Sequence, residues 1–316
     1  MKRILLLSIL LLLFVFKGFN QVQLTQYFLD ETVYNPAFAG SKEAICANTF
    51  VRNQWLKFAD QNGNKVTPLS GVFNINAPVF ALNSGIGMNV IYDRIGFEQN
   101  FGLKVNYAYY IPSRNENNRL GIGIGVSLLS KSIDFSQLIL EQSGDPLIKS
   151  TRKESGIIPD IDFGIQYQQF KRYYIGISTT NILESNAEIG NVRYSQKRNY
   201  YFTSGYFIKL METRKKAVYL IPSTLVKSNL KNMQIDINAR IEYNNLFWSG
   251  VSWRYQDAVA VLAGINIKGF RVGASYDFTT SYLSESSIGS LELFIGYCYS
   301  LKPKLKKSSN YNTRYL

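Results

Sequence analysis

Histidine is absent from this chain of 316 residues. Its absence excludes Ser-His-Asp and Cys-His nucleophile arrangements, including the Ser-His chemistry of membrane phospholipases, and removes the commonest metal ligand. Cysteine is scarce as well. Cys46 and Cys298 are the only two, far apart in sequence, and cannot make a zinc site by themselves. In an exported protein such a pair can form a disulfide, but small buried cysteines are common, and two free, strand-borne thiols are the expectation. Charged residues reach only 18%. Beyond the N-terminus no apolar run approaches the roughly 18 residues that a helical membrane span requires. If this chain enters a membrane, it does so as a closed barrel. Neither a linker rich in Pro or Gly/Ser nor a repeat longer than a hairpin divides it, so one domain is expected.

What is plentiful suits strands, turns and interfaces: 22 Tyr, 20 Phe and 23 Gly. The formal charge is +13. Part of it sits in an N-terminal segment, MKRILLLSILLLLFVFKGFNQ, whose mainly apolar run from Ile4 to Phe16 has the length of a secretory signal's core. No cysteine follows that run, which argues against a lipoprotein. The expected organisation is a signal peptide over 1–20, an extended periplasmic lead-in over 21–43, a barrel over 44–301 and a basic tail over 302–316.

The stretch MQIDINARIEY, Met233 to Tyr243, alternates strictly. Met233, Ile235, Ile237, Ala239, Ile241 and Tyr243 point one way on a strand, and Gln234, Asp236, Asn238, Arg240 and Glu242 the other. The same period of two recurs in NFGLKVNYAYY, RLGIGIGVSLL, FRVGASYDF and SLELFIGYCYS. The polar face holds Gly, Ser, Asn and isolated charges, where a soluble sandwich would show bulk water many Lys, Glu and Thr. A crowded lumen fits better, and aromatics near strand ends fit interfacial girdles. These features predict an all-β transmembrane protein: an antiparallel up-and-down barrel of outer-membrane type. About fourteen strands are expected, at 44–55, 66–77, 84–94, 99–111, 119–131, 157–170, 172–181, 199–210, 217–227, 233–243, 246–255, 258–267, 270–278 and 290–301. With an even count and a first strand leaving the periplasm, the long connections 132–156 and 182–198 fall outside. The tight ones near Lys171, Asn244 and Lys268 fall on the periplasmic side, as barrels require.

On the polar face, Asp236, Arg240, Glu242, Arg254, Arg271 and Asp277 are expected to project into the lumen from neighbouring strands. Opposite charges packed across it would close it with hydrogen-bonded pairs, giving a narrow or plugged barrel. GIGIG at 121–125 lacks the third glycine of a dinucleotide fingerprint and leads into further alternation, so it reads as room left in the wall. Asp134, Glu141, Asp145, Glu154, Asp160 and Asp162 cluster in and beside the longest loop. Their spacing matches no EF-hand, and solvated loop charge accounts for them.

Several stretches, in order, resemble the PorP/SprF family of outer-membrane proteins associated with type IX secretion and gliding motility in Bacteroidetes. YNPAFAG carries Asn35, Pro36, Ala37 and Gly40. RNQW carries Arg52, Gln54 and Trp55, and DRIG carries Asp93 and Gly96. IPSTLVK carries Pro222 and Ser223, WSGVSWRYQDA carries Arg254 and Asp257, and GASYDFTTS carries Tyr276 and Asp277. The final strand of the family tends to begin Ser-His-Glu, whereas this chain has Ser290, Leu291 and Glu292, so no role of that His carries over. The resemblance implies a non-enzymatic outer-membrane component without cofactor, metal or nucleic-acid partner. Its implied partners are outer-membrane lipid, other secretion components in the periplasm and outer membrane, and a secreted adhesin or its C-terminal domain. Two readings remain beside it: a passive channel for small solutes, and a soluble secreted β-protein that binds glycans through its aromatics.

Overall fold

A computed structural model describes residues 22–58, 66–111, 113, 118–137, 152–213 and 216–301. The expected signal peptide and basic tail lie outside these residues, as do Glu141 and Asp145 of the loop acidic group.

Seven wall strands come first: β1 (Ala44–Asn53), β2 (Leu69–Val79), β3 (Ser84–Ile95), β4 (Glu98–Ile111), β5 (Asn118–Asp134), β6 (Lys153–Gln169) and β7 (Tyr173–Thr180). A separate hairpin follows, β8 (Asn186–Ile189) with β9 (Val192–Ser195). β10 (Asn199–Tyr206) and β11 (Ile208–Glu212) are two halves of one wall strand, interrupted at Phe207. There the backbone N–H bonds the Arg172 carbonyl at 2.8 Å. β12 (Ala217–Ser228), β13 (Met233–Tyr243), β14 (Phe247–Arg254), β15 (Ala258–Ile267), β16 (Phe270–Thr279) and β17 (Ser290–Ser300) complete the wall. Each strand pairs antiparallel with its sequence neighbour, and β1 pairs with β17 from Ala44↔Ser300 to Asn53↔Leu291. The ring is therefore closed, with fourteen strands around it. Closure leaves no sheet edge in the wall for lipid to meet, which is why strands can span a bilayer at all.

Burial is inverted relative to a soluble protein. Ile124 and Val126 of β5 are 53% and 58% exposed on the outer wall, while Asp162 and Glu292 are 0% exposed inside. In β13 the buried positions are Gln234, Asp236, Asn238 and Arg240, and Ile237 and Ile241 face outward. The polar face of the alternation is thus the interior, and its apolar face is the one for lipid. By the same loop rule the mouth where β1 begins is periplasmic, and the mouth where it ends is outer.

The segment before β1 departs from expectation. Instead of an extended periplasmic lead-in, residues 24–41 are buried inside the barrel as three 3-10 turns, Tyr27–Leu29, Glu31–Val33 and Pro36–Phe38. Local chemistry shapes them. Asp30 and Asn35 accept the backbone N–H groups of Thr32 (3.1 Å) and Ala37 (2.9 Å), and Pro36 opens the third turn. Such short turns have little stability of their own. Burial holds them: Leu24, Tyr27, Phe28, Leu29 and Tyr34 pack with Phe50, Tyr201, Leu225, Trp248 and Phe294 of the wall.

The cysteines also depart from expectation. Cys46 and Cys298 form a disulfide and are not free thiols. They stand opposite each other in the β1–β17 seam, a neighbourhood that exists only once the first and last strands meet.

Candidate functional site

The lumen segment runs the height of the barrel from the outer mouth down. At the outer end Gln23 donates to Gln234 at 2.7 Å and accepts from Gln54 at 3.5 Å. At the periplasmic end Glu43 pairs with Arg119, the residue whose guanidinium also lies over the Tyr110 ring.

Near its outer end the segment meets a buried ion cluster drawn from five strands. Arg52 of β1 pairs with Asp277 of β16 at 2.6 Å and with Glu292 of β17 at 3.3 Å. Arg254 of β14 pairs with Asp236 of β13 at 2.8 Å, with Asp277 at 3.1 Å and with Asp257 at 3.3 Å. Thr25 joins the two halves: its hydroxyl donates to Asp277 at 2.9 Å and accepts from Arg52 at 2.8 Å. The backbone N–H groups of Thr25 and Gln26 donate to Glu292 at 2.7 and 2.9 Å. Two guanidiniums thus bridge carboxylates that would repel one another alone, and charge-assisted bonds of this kind are the strong ones. The surplus of carboxylate is met by the backbone and hydroxyl of the lumen segment, so the cluster is completed by it.

Below the cluster, asparagines of four successive strands grip the segment. Asn48 donates to Asp30 at 2.6 Å, Asn74 to the Thr32 hydroxyl at 2.7 Å, and Asn89 and Asn106 both to the Thr32 carbonyl at 3.3 Å. Lys104 donates to the Val33 carbonyl at 3.1 Å and pairs with Asp162 at 2.6 Å. Lower still, Asn35 donates to the carbonyls of Ile165 (3.1 Å) and Ile177 (3.3 Å), and Tyr110 to that of Ala39 at 2.6 Å. The YNPAFAG turn lies against glycines. A Cβ on Gly123 would collide with the Ala37 backbone, and one on Gly164 with the Asn35 amide. Of the GIGIG glycines, Gly123 therefore makes room for the segment, while Gly121 and Gly125 lie against wall side chains, Tyr110 and Gln166 for the first and Asn106 and Asp162 for the second. Gly40, at φ 71°, turns the chain out towards β1.

The structure brings Arg52, Asp236, Arg254, Asp257, Asp277 and Glu292 into one cluster. Asn35, Pro36, Ala37 and Gly40 form the lower part of the same interface, and Ser223 accepts from Tyr27 at 3.2 Å. Pro222, its neighbour on β12, pairs across to Ala239. Gln54 touches the segment through Gln23, and the Trp55 backbone N–H donates to Ser290. Other sequence candidates stand apart. Asp93 bonds Ser70 across β2–β3, and Gly96 sits in the β3–β4 turn at φ 57°. Tyr276 faces outward and donates to the Ile288 carbonyl at 2.5 Å. Among the lumen charges, Arg271 donates to Asn48 at 2.6 Å, Arg240 stacks on Phe28 at 4.1 Å, and Glu242 lies outside the cluster near the periplasmic end of β13. Thr25 and the asparagines were not singled out by sequence. Their one visible trace is the recurrence of Asn at inward positions of the first four strands.

A family model described as type IX secretion system membrane protein PorP/SprF matches residues 17–297. The chain belongs to the PorP/SprF family. It is accordingly an outer-membrane β-barrel of the type IX secretion system. No curated protein matches the sequence. Among solved structures, a Pseudomonas aeruginosa FadL homologue is similar over 86% of this PorP/SprF chain and 94% of its own, at 10% identity and a TM-score of 0.45. Acinetobacter baumannii Omp33 is similar over 81% and 99%, at 8% identity and a TM-score of 0.45. Outer membrane phospholipase A from Escherichia coli is similar over 81% and 92%, at 10% identity and a TM-score of 0.37. Likenesses this distant add nothing to the strand pairing that itself defines the barrel.

Proposed function

We propose that this PorP/SprF protein is a closed, non-enzymatic barrel that supports the secretion or surface anchoring of a partner adhesin, working with type IX components of the periplasm and outer membrane. The adhesin's C-terminal domain is the part expected to meet it, and gliding motility is the process it would serve. The observation that carries this reading is the lumen. A barrel for solute passage needs an open path, whereas here the path is occupied by residues 22–43, hydrogen-bonded to the buried ion cluster of the wall and held by side-chain amides along its length. What such a barrel offers is a rigid body in the membrane with two mouths for partners. Motif residues gathered around the plug then serve to keep it closed. The absence of histidine supports the non-enzymatic part, since the Ser-His route of membrane phospholipases has no base here.

The test is deletion of the gene followed by mass spectrometry of surface and secreted proteins. Selective loss of one or a few large exported proteins is the expected result. An unchanged exported set with altered uptake of a small solute would replace this reading with that of a passive channel.

A further inference from the structure

The lumen segment leaves part of the outer mouth unfilled. Above Val33 and Tyr34 lies a cavity of about 410 Å³, walled by Asp93 and Asn100 on one side and by Tyr194 and Gln196 of the β8–β9 loop on the other. Two side chains of this lining, Asn100 and Gln196, each keep a buried amide oxygen without a hydrogen-bond partner among the described residues. A buried, unpaired amide oxygen is costly and takes a donor.

The hairpin beside the cavity identifies the ligand's form. β8 leans on the wall, with Ala187 and Ile189 over Gly156 of β6, and Ile189 clustered with Ile133 and Phe135. β9 is thereby left on the cavity side, where Tyr194 and Ser195 line it. Ile189↔Val192 flank the two-residue turn, and the 185–196 backbone bond at 3.0 Å continues the same alternation. Arg193 and Ser195 therefore direct their N–H and C=O groups away from β8. Among the described residues no strand pairs with that edge. An open edge of this sort takes up an extended chain, with main-chain bonds giving affinity and flanking pockets giving choice. A lipid or glycan has no repeating N–H and C=O to match it.

We infer that the β9 edge and the cavity beside it form a docking site for an extended segment of an exported polypeptide, added to the hairpin as a third strand in the outer mouth. The inference rests on the proposed role in surface anchoring and assigns that role a place.

The test uses the full-length protein in intact cells, carrying a photo-crosslinking residue at position 193 or 195, or at Tyr282 as an exposed control in another loop. Positions 193 and 195 should each capture the same exported polypeptide, at sites two residues apart in its sequence, and position 282 should not. With the crosslinker at 195, Arg193→Pro, which removes an outward N–H, should lower the yield about tenfold. Arg193→Ala, which loses only the side-chain bonds to Asn186, should not. Unheated gel migration identifies the folded barrel in each variant, and the register of capture on the Arg193 chain stands whether or not the Pro variant folds. Capture without register, capture of glycan or lipid alone, or a yield indifferent to Arg193→Pro in a folded barrel would overturn the docking site. Loss of exported proteins on gene deletion, but not in Arg193→Pro, would leave the general function standing and remove this site from it.

Discussion

At the residue scale, Arg52 is the side chain on which most depends. It is 1% exposed and reaches Asp277, Glu292 and Thr25 from one guanidinium. Removing one partner of a buried charge group costs about 3–5 kcal/mol, because the other charges stay buried without compensation. Arg52→Ala should therefore lower the temperature at which the folded gel form is lost, and should do so far more than Lys209→Ala, whose pair with Glu212 is exposed. Arg52→Lys should fall between, since a point charge cannot hold the two carboxylates in one fork. Equal stability of the Ala variant and the parent would mean that the cluster is not what fixes the lumen segment. Sequence reading could name Asp277 from its inward place in a clear alternation, and Arg52 and Glu292 through the family resemblance. It could not name Thr25, an ordinary polar residue in a stretch without period.

At the scale of elements, the wall strands were legible to within four residues at their ends, and the segment they enclose was not. MQIDINARIEY is β13 from Met233 to Tyr243, as its alternation predicts, because a strand facing lipid on one side and a packed lumen on the other writes both environments into alternate positions. The lead-in meets the interior on every side, so its turns carry no such period, and only Asn-Pro marks a local start. The seam disulfide was hidden for a different reason: its geometry belongs to ring closure and not to either strand. Both elements yield predictions. A leucine at position 123 would occupy the space of the Ala37 backbone, so Gly123→Leu should displace the segment and produce stepwise conductance in planar bilayers, where the parent should show none. Gly71→Leu, at an open position of β2, should stay silent. Conductance of the parent at the level of a general porin would contradict the plugged lumen. For the seam, heated samples without reductant should migrate faster than reduced ones, because Cys46 and Cys298 tie a loop of 252 residues. The Cys46→Ser, Cys298→Ser double variant should migrate like the reduced form with or without reductant. Its folded form should be lost at lower temperature, since closing a long loop contributes about 2–4 kcal/mol.

At the scale of the whole molecule, one consequence joins the plug to the orientation of the barrel. β1 begins at the periplasmic mouth, yet residue 23 hydrogen-bonds Gln54 and Gln234 near the outer one, so the chain descends through the lumen and β1 returns in the opposite direction. The start of the described chain and the β8–β9 hairpin therefore share the outer mouth, and Val22 and Tyr194 line the same cavity. This arrangement depends on which mouth is outside, and that can be read directly. Both native cysteines are held in the disulfide, so a single introduced cysteine reports alone. Tyr282→Cys, at a position 97% exposed in the β16–β17 loop, should react with a membrane-impermeant maleimide on intact cells. Thr213→Cys, in the turn after β11 at the other mouth, should react only after the outer membrane is opened. The reverse pattern would invert the barrel, placing the cavity and its free strand edge in the periplasm. An exported polypeptide would then meet them before crossing the membrane and not after it, and a docking site there would select cargo for export instead of holding it at the surface.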